Sequence, residues 1–268
     1  MRSIVILMCT HNGEAYISEQ LQSLLALEPA ASAIFIYDWG SSDRTPEIVR
    51  EFSNEHHLIR LVEKDDSPGA AVSFWIATQE ILKEHKGFDY LAWCDQDDIW
   101  VRDKLERQLS FLDGKNKKCL ASADVSYIDH EGRKIKLQSR RGHYDAGSYF
   151  APTFGKPLGE GVLFANPCIG MTMIIPWKLV EIASKVRPHE SLIMHDWAMV
   201  IIAYLTGYDT VIQGERLVFY RQHDRNILGG KNKGLLKAIS IAAKRYEEVL
   251  GQVAYIKKEL YEDQCESI

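Results

Sequence analysis

Apolar runs and helical patterns alternate along residues 3–112 of the chain. Short continuous apolar runs indicate buried strands, and apolar residues at three- and four-residue spacing indicate helices. The predicted strands cover 3–9, 34–37, 58–62 and 88–94, and the predicted helices cover 17–27, 46–52, 70–82 and 101–112. Thr45 is the expected N-cap of the second helix. Such alternation is typical of right-handed βαβ units and predicts an α/β protein with a Rossmann-like, mostly parallel central sheet flanked by helices.

The second half of the chain has a less regular pattern. It contains predicted strands at 119–128 and 171–175, a predicted helix at 194–205, a strand or hairpin at 211–220, and a helical pattern from 235 to 260. Residues 130–162 show little periodicity, which is typical of functional or mobile segments. We therefore expect the regular sheet to be formed mainly by the first half.

Three carboxylates directly follow the fourth predicted strand. Asp95, Asp97 and Asp98 end an apolar run, a place where like charges repel one another and lose solvation. A divalent cation offsets this cost, and oxygen ligands favour Mg²⁺ or Mn²⁺ together with phosphate oxygens. The cluster therefore predicts a site for a metal and a diphosphate. The alternative is a solvated turn in which Asp97 or Asp98 caps the next helix.

Polar loops after three of the predicted strands are expected to meet at one edge of the sheet. They follow the first, second and fourth strands. The carboxyl ends of parallel strands face a common crevice, where folds of this class bind their ligands. In the last of these loops, Asp95 and Asp97 are expected to project to the same side, whereas Asp98 points away.

Composition and charge argue against several protein classes. Of 268 residues, 46% are hydrophobic and 26% are charged, which is ordinary for a soluble domain. The formal net charge of -5 argues against a nucleic-acid partner held by phosphate neutralisation. The five cysteines are odd in number and widely spaced, which predicts reduced thiols. Because we find no hydrophobic leader and no run of about 18 apolar residues, we expect a cytoplasmic protein.

Five polar motifs follow one another along the chain: Thr10-His11-Asn12-Gly13-Glu14, Asp38-Trp39-Gly40-Ser41-Ser42-Asp43, Asp95-Gln96-Asp97-Asp98-Ile99-Trp100, His195-Asp196-Trp197, and Tyr220-Arg221-Gln222-His223 with Asn226 and Gly229. In their order and spacing they resemble glycosyltransferase family 2. The third and fifth motifs are most similar to bacterial rhamnosyltransferases of the cell envelope. The resemblance implies the GT-A fold, a nucleotide-sugar donor, a divalent metal and inversion at the anomeric carbon.

The resemblance also implies a division of the chain. A GT-A domain is expected over 1–230, with a nucleotide-binding half at 1–112 and an acceptor-binding half at 113–230. A C-terminal helical extension is expected over 231–268. Its basic positions are Lys237, Lys244, Arg245, Lys257 and Lys258. We expect these positions to form either a solvated face or a peripheral contact with the inner face of the plasma membrane. A second copy of the chain is a further candidate partner.

Seven residues are expected, on this resemblance, to bind the nucleotide sugar. They are Thr10, Asn12, Glu14, Asp38, Gly69, Asp95 and Arg221. The structural alternatives are helix initiation for Glu14, an Asx turn for Asp38 and a plain turn at Gly69. Arg221 pairs with phosphate in one interpretation and with a neighbouring acid in the other. Trp39 stands where the family commonly has a second acid, which implies a wider or stacked nucleotide pocket.

The resemblance further assigns the metal ligands, the base and the acceptor contacts. The expected ligands of Mn²⁺ or Mg²⁺ are Asp95, Asp97 and His223. Asp196 is the expected base for the acceptor hydroxyl, with helix capping as its structural alternative. His223 is alternatively a surface residue in a turn. Aromatic rings suit the apolar faces of sugars, and the expected acceptor contacts are Trp100, His195 and Trp197.

The expected reaction moves a sugar from a dTDP- or UDP-sugar to a hydroxyl of an envelope polysaccharide or a lipid-linked glycan precursor. L-Rhamnose from dTDP-β-L-rhamnose is the first choice of donor. Two other hypotheses stay open. Asp95-Gln96-Asp97 also fits a phosphotransferase or phosphatase, although such enzymes usually carry this motif on an early strand. A non-catalytic subunit that binds nucleotide sugars is the second alternative, because Trp39 departs from the family pattern.

Overall fold

A computed structural model describes most of the chain. It covers residues 2–115, 118–135, 154–223 and 235–265, with side chains described everywhere except at 235–246 and 263–265. Most of the stretch 130–162, together with Asn226 and Gly229, therefore lies outside the described residues. The side chains of Lys237, Lys244 and Arg245 lie outside them as well.

The larger sheet has five strands with the predicted parallel core. Its strands are β1 (Ile4–Thr10), β2 (Ala33–Trp39), β3 (Ile59–Lys64), β4 (Tyr90–Cys94) and β7 (Ile175–Pro176). They lie in the order β3-β2-β1-β4-β7, and β7 alone of these runs antiparallel to its neighbour. The connecting helices are α1 (Ile17–Leu25), α2 (Thr45–Glu55) and α3 (Ala70–Glu84). This arrangement confirms the predicted α/β fold.

A second, smaller sheet lies beside the first. Its strands are β5 (Ile99–Trp100), β6 (Cys119–Ile128) and β8 (Asp209–Arg221). Strand β8 is central, with β6 parallel to it and β5 antiparallel. The remaining helices are α4 (Lys104–Asp113), α5 (Trp177–Ala183), α6 (His195–Leu205) and α7 (Leu235–Cys265). Short 3-10 helices cover Glu160–Leu163 and Gly170–Thr172.

The apolar run of β1 is buried on both faces of the larger sheet. Val5 and Leu7 belong to one hydrophobic cluster, whereas Ile4, Ile6 and Met8 belong to the other. Successive side chains of a strand point to opposite faces, so a strand covered by helices on both sides needs apolar residues at every position. The continuous run is therefore explained by its central place in the sheet.

The strand register brings the polar loops to one edge, as predicted. Thr10 at the end of β1 pairs with Asp38, and Met8 pairs with Cys94 at the end of β4. The three strands therefore end at nearly the same level. The loops that follow them share the carboxyl edge of the sheet.

Several predicted elements differ from those observed. The predicted strand at 171–175 begins instead as a 3-10 helix that ends at Thr172, whose N–H donates to the carbonyl of Ile169, and only Ile175 belongs to a strand, β7. Thr45 is not the N-cap of α2 but its first residue, and its hydroxyl accepts a hydrogen bond from Gly13 N–H instead. Residues 211–220 form part of one strand, not a hairpin. Helix α5 was not predicted from the sequence.

Helix α7 packs against the rest of the molecule. Val249, Ile256 and Leu260 are buried in the same hydrophobic cluster as most of α6. No described helix is long and apolar enough to cross a bilayer.

Candidate active site

Hydrogen bonds join the loop after β1 to the loop after β2. Asn12 N–H donates to Ser41 Oγ at 2.8 Å, and Asn12 Oδ1 accepts from Ser42 N–H at 2.8 Å. Gly13 N–H donates to Thr45 Oγ1 at 2.8 Å. Asn12 has a φ of 51°, a left-handed conformation that asparagine tolerates better than most residues. These bonds hold the expected nucleotide residue Asn12 in one conformation.

Asp38 lies buried at the end of β2. Its carboxylate accepts hydrogen bonds from Thr10 Oγ1 at 2.8 Å and from Ser41 N–H at 3.0 Å. The bond to the backbone spans three residues, one more than in the Asx turn that was the structural alternative for Asp38. Glu14 also joins the two loops, because its carboxylate accepts from Arg44 N–H at 3.0 Å. A nucleotide contact by Thr10, Asp38 or Glu14 remains a prediction.

Trp39 and Gly69 occupy different environments at this edge. Trp39 is buried in the hydrophobic core, where its indole packs near Tyr37. The expected stacking of Trp39 in the nucleotide pocket is therefore disfavoured by its burial. Gly69 is exposed before α3 with a φ of 95°, a conformation that favours glycine. Its contact with nucleotide stays a prediction.

Gln96 fastens the acidic loop to the loop after β1. Its Oε1 accepts from His11 N–H at 3.0 Å, and its Nε2 donates to the His11 carbonyl at 3.2 Å. Gln20 adds a second link by donating to the Asp95 carbonyl at 3.1 Å. Sequence reasoning missed both glutamines, since neither residue type indicates a cross-loop bond without the fold.

Asp97 and His223 form a close pair at the edge of the sheet. His223 Nε2 lies 2.8 Å from Asp97 Oδ2, and both side chains are partly exposed. The ring of His223 stacks on Tyr16, with ring centroids 5.1 Å apart. His223 therefore belongs to the acidic site, as the motif order implied, and is not an isolated surface residue. Tyr16 carried no signal in the sequence.

Arg221 is buried behind the acidic loop. Its side chain is 1% exposed, its Nε donates to the Asp97 carbonyl at 2.8 Å, and its guanidinium forms an ion pair with Glu19. The guanidinium carbon also lies 4.7 Å from the ring centroid of Tyr16. The structure thus favours the pairing of Arg221 with a neighbouring acid and argues against the expected donor contact. Arg221 acts as a support for Asp97.

Asp98 is buried and does not cap the next helix. Its Oδ1 accepts from the backbone N–H of Arg221 at 3.0 Å, while Asp103 occupies the N-cap position of α4. Burial, together with the charges of Asp97 and Asp95, raises the pKa of Asp98 well above its usual range. Asp98 therefore fastens the acidic loop to the end of β8.

Asp95 is electrostatically connected to the expected metal ligand Asp97 and to the expected base Asp196. Burial is the main cause that raises its pKa to about 8, and the carboxylates of Asp97 and Asp196 add to the effect. Asp196 lies in the second half of the chain, so its influence on Asp95 means that the fold has brought the two regions together. The concentrated negative charge is suited to a cation.

Asp196 lies in the first turn of α6 with its carboxylate held on several sides. Its Oδ1 accepts from Trp197 N–H at 2.7 Å and its Oδ2 from Gly170 N–H at 3.0 Å. The Asn166 side chain also hydrogen-bonds to it. Burial raises the pKa of Asp196 to about 6, and these hydrogen bonds limit the rise. Met194 is the N-cap of α6, so the capping alternative for Asp196 is wrong.

Gly170 has a specific reason to be glycine. A Cβ at this position would lie 2.8 Å from His195 Nε2 and 3.5 Å from Asp196 Cβ. The backbone of the 3-10 helix therefore approaches the start of α6 more closely than any side chain would allow. Neither Gly170 nor Asn166 was identified from the sequence, because the segment that carries them has no motif.

The three expected acceptor residues are all buried. His195 stacks on Phe74 with centroids 4.1 Å apart, and burial lowers its pKa to about 3, so the ring stays neutral. Trp197 Nε1 donates to the Val162 carbonyl at 2.7 Å. Trp100 lies in the core, and Lys104 Nζ lies 3.7 Å from the centroid of its indole ring. This burial argues against direct acceptor contacts by Trp100, His195 and Trp197.

Divalent metal is the cofactor that suits this site. Asp97 supplies a carboxylate and His223 an imidazole, and Mn²⁺ accepts both ligand types. No group of three or more acidic, histidine or cysteine side chains forms a ready metal site within the described residues. Mg²⁺ and Mn²⁺ sites often take only one or two protein ligands and complete their shell with substrate phosphate. The pair therefore fits a metal that is shared with a diphosphate.

Comparison with known proteins decides the family. Residues 5–170 match the family model described as glycosyl transferase family 2. The chain belongs to this family. It is a glycosyltransferase with the GT-A fold.

Curated proteins similar to this chain include a rhamnosyltransferase and a glucosyltransferase. The dTDP-rhamnosyl transferase RfbG of Shigella flexneri is 29% identical over 224 residues, which are 83% of this chain and 73% of the relative. The UDP-Glc:alpha-D-GlcNAc-diphosphoundecaprenol beta-1,3-glucosyltransferase WfgD of Escherichia coli is 35% identical over 109 residues. That match covers 41% of this chain and 40% of WfgD.

Solved structures of two other proteins share the fold at low sequence identity. The S. aureus TarS 1-349 complex with UDP-GlcNAc has a TM-score of 0.62 at 16% identity and covers 97% of this chain and 73% of that protein. The mannosyltransferase PcManGT from Pyrobaculum calidifontis, in complex with GDP-Man and Mn2+, has a TM-score of 0.61 at 17% identity. That alignment covers 96% of this chain and 74% of PcManGT. At these identities the likeness concerns the fold.

Proposed function

We propose that this family 2 glycosyltransferase transfers a sugar from a nucleoside-diphosphate donor to an acceptor hydroxyl with inversion, using Mn²⁺ or Mg²⁺. The observation that carries the proposal is the 2.8 Å pair of Asp97 and His223, with Asp95 beside it and Asp196 close enough to raise the pKa of Asp95. One site thus contains a set of groups suited to the diphosphate and a separate carboxylate suited to the acceptor.

Asp97 and His223 would hold the metal, with Asp95 as a further ligand. When bound, the metal supplies positive charge that stabilises the departing nucleoside diphosphate. Arg221 and Gln96 keep the acidic loop in place, since they bond to the Asp97 carbonyl and to the His11 backbone. The loops that carry Asn12 and Asp38 are the expected seat of the nucleotide.

Asp196 is the base in this proposal. Inversion requires the acceptor oxygen to attack the anomeric carbon from the face opposite the leaving diphosphate, while a carboxylate takes the hydroxyl proton. The new bond joins the acceptor oxygen to the anomeric carbon, and the bond from that carbon to the diphosphate oxygen breaks. With its pKa raised to about 6, Asp196 is largely ionised at neutral pH and still able to accept a proton.

dTDP-β-L-rhamnose is the donor that we propose, because a dTDP-rhamnosyl transferase is similar over 83% of this chain. A UDP-hexose is the second candidate, favoured by the match to a glucosyltransferase named for UDP-Glc. The proposed acceptor is an envelope polysaccharide or lipid-linked precursor at the cytoplasmic side of the plasma membrane. In this scheme, residues 1–112 bind the donor, 113–230 the acceptor, and 231–268 form the extension.

A binding screen with dTDP-, UDP- and GDP-sugars in the presence of Mn²⁺ tests the donor. We expect dTDP-β-L-rhamnose to bind best, and binding to depend on the metal. Transfer to a panel of glycans would then be measured through the release of nucleoside diphosphate. Tight donor binding without transfer to any acceptor would favour the non-catalytic subunit. Release of phosphate from simple esters would favour the phosphatase hypothesis.

A further inference from the structure

The segment that leads to the proposed base is held by the C-terminal helix. This approach segment, residues 187–193, lies between α5, which ends at Ala183, and α6, which begins at His195 and carries Asp196. It contains no regular helix or strand of its own. Its position therefore depends on contacts with neighbouring elements, and several of these come from one face of α7.

Gln252 makes the contact nearest to the base. Its Oε1 accepts from Ile193 N–H at 2.8 Å, only three positions before Asp196. The Gln252 side chain is fully buried. The bond is partly buried, and a backbone N–H that is shielded from water needs a partner, so loss of this oxygen would leave Ile193 without its acceptor from α7.

Glu259 and Tyr255 hold the other end of the approach segment. The Glu259 carboxylate accepts from Arg187 Nε at 2.8 Å, from Arg187 Nη2 at 2.7 Å and from Arg187 N–H at 3.1 Å. Tyr255 O–H donates to the Arg187 carbonyl at 3.0 Å, and its ring stacks on His189. Gln252, Tyr255 and Glu259 recur at helical spacing, which places them on one face of α7.

We propose that α7 positions Asp196 for proton transfer by holding the approach segment, with Gln252 and Glu259 as positioning residues. The inference rests on the proposed function, in which Asp196 deprotonates the acceptor. Neither positioning residue touches substrate. None of the proposed nucleotide-sugar and metal residues lies in the approach segment, so anchorage by α7 should affect the acceptor side of the reaction selectively.

Two matched pairs of variants test this role in the full-length protein. Gln252→Leu removes the oxygen that Ile193 uses, whereas Gln252→Glu retains it. Glu259→Gln weakens the ion pair between a buried carboxylate and the largely exposed Arg187 side chain. Glu262→Gln instead alters an exposed glutamate of the same helix, whose ion-pair partner is Lys258. For Gln252→Leu we expect kcat to fall by about tenfold or more, because small misplacements of a reacting group are costly. The donor KM and the affinity for Mn²⁺ should stay unchanged, and Gln252→Glu should recover most of kcat.

Amide hydrogen exchange over residues 187–197 gives a readout that does not depend on activity. We expect faster exchange there in Gln252→Leu and Glu259→Gln but not in Glu262→Gln. The acid limb of the pH profile of kcat should also shift in Gln252→Leu and Glu259→Gln. A simple loss of folded protein would lower kcat without shifting this limb. Unchanged exchange, or wild-type kcat with an unchanged pH profile, would overturn the proposal. If the wild type transfers no sugar, the proposed function is contradicted. Faster exchange in Gln252→Leu and Glu259→Gln would in that case still support the anchorage by α7.

Discussion

His223 Nε2 lies 2.8 Å from Asp97 Oδ2, although 126 positions separate the two residues. The pairing of two short stretches explains this approach. Ile99, just after the acidic loop, pairs with Phe219 near the end of β8 in an antiparallel register. The residues before Ile99 must therefore lie beside the residues after Phe219. The metal ligands proposed here are brought together by the smaller sheet, whereas the nucleotide loops belong to the larger one.

Asp97→Asn tests the metal site. The amide keeps the size of the side chain but removes its charge, so we expect the affinity for Mn²⁺ in the presence of nucleoside diphosphate to fall by about 10²-fold or more. Titration of Mn²⁺ by electron paramagnetic resonance measures this affinity. Asp113→Asn, an exposed change on α4, is the control and should bind as the wild type does. An affinity for Mn²⁺ equal to that of the wild type would show that Asp97 is not a metal ligand.

The edge loops could be predicted from the sequence because a continuous apolar strand followed by clustered acids marks the end of a parallel strand. The burial of Trp100 could not be predicted from the sequence, since it depends on the pairing of β5 with β8, which is far away along the chain. The sequence likewise left both phosphate and a neighbouring acid open as partners of Arg221, because its contacts with Glu19 and the Asp97 carbonyl depend on the fold. Asn166 and Gly170 gave no signal, because their role arises from a close backbone approach to α6.

The pH dependence of transfer tests Asp196 and its neighbour Asn166. The base must be ionised, and its pKa is raised to about 6, so kcat should fall as the pH drops below about 6. Asn166 stabilises the ionised form, so Asn166→Ala should raise the pKa of Asp196 and move the acid limb to higher pH. Asn54→Ala, on an exposed position of α2, should leave the limb in place. A limb that moves to lower pH in Asn166→Ala would contradict the assignment.

Gly170→Ala tests the close contact between the 3-10 helix and α6. The added Cβ would lie 2.8 Å from His195 Nε2, so the backbone or the buried ring must shift. We expect a loss of about 1–3 kcal/mol in the free energy of unfolding and a lower kcat. Gly159→Ala is the matched control, because its Cβ would meet no atom within 4 Å. Chemical denaturation of both variants measures the difference, and equal stability would show that the contact relaxes freely.

The buried Lys104 should make the folded protein more stable as the pH rises. Burial lowers the pKa of this lysine to about 7, whereas its ordinary value is 10.5. Between these values the unfolded chain binds more protons, so the lysine makes the folded state more stable as the pH rises. The stability of the wild type relative to Lys104→Met should therefore increase from pH 7 to pH 9. Lys178→Met, at an exposed position, should show no such increase, and a flat difference for Lys104→Met would contradict the lowered pKa.

The most direct test of the site as a whole measures donor binding and sugar transfer together in Asp196→Asn. Asp103→Asn, at the exposed N-cap position of α4, is the control. If Asp196 is the base, the variant should bind dTDP-β-L-rhamnose and Mn²⁺ as tightly as the wild type while its turnover falls by about 10²- to 10⁴-fold. Wild-type turnover in Asp196→Asn would contradict the account.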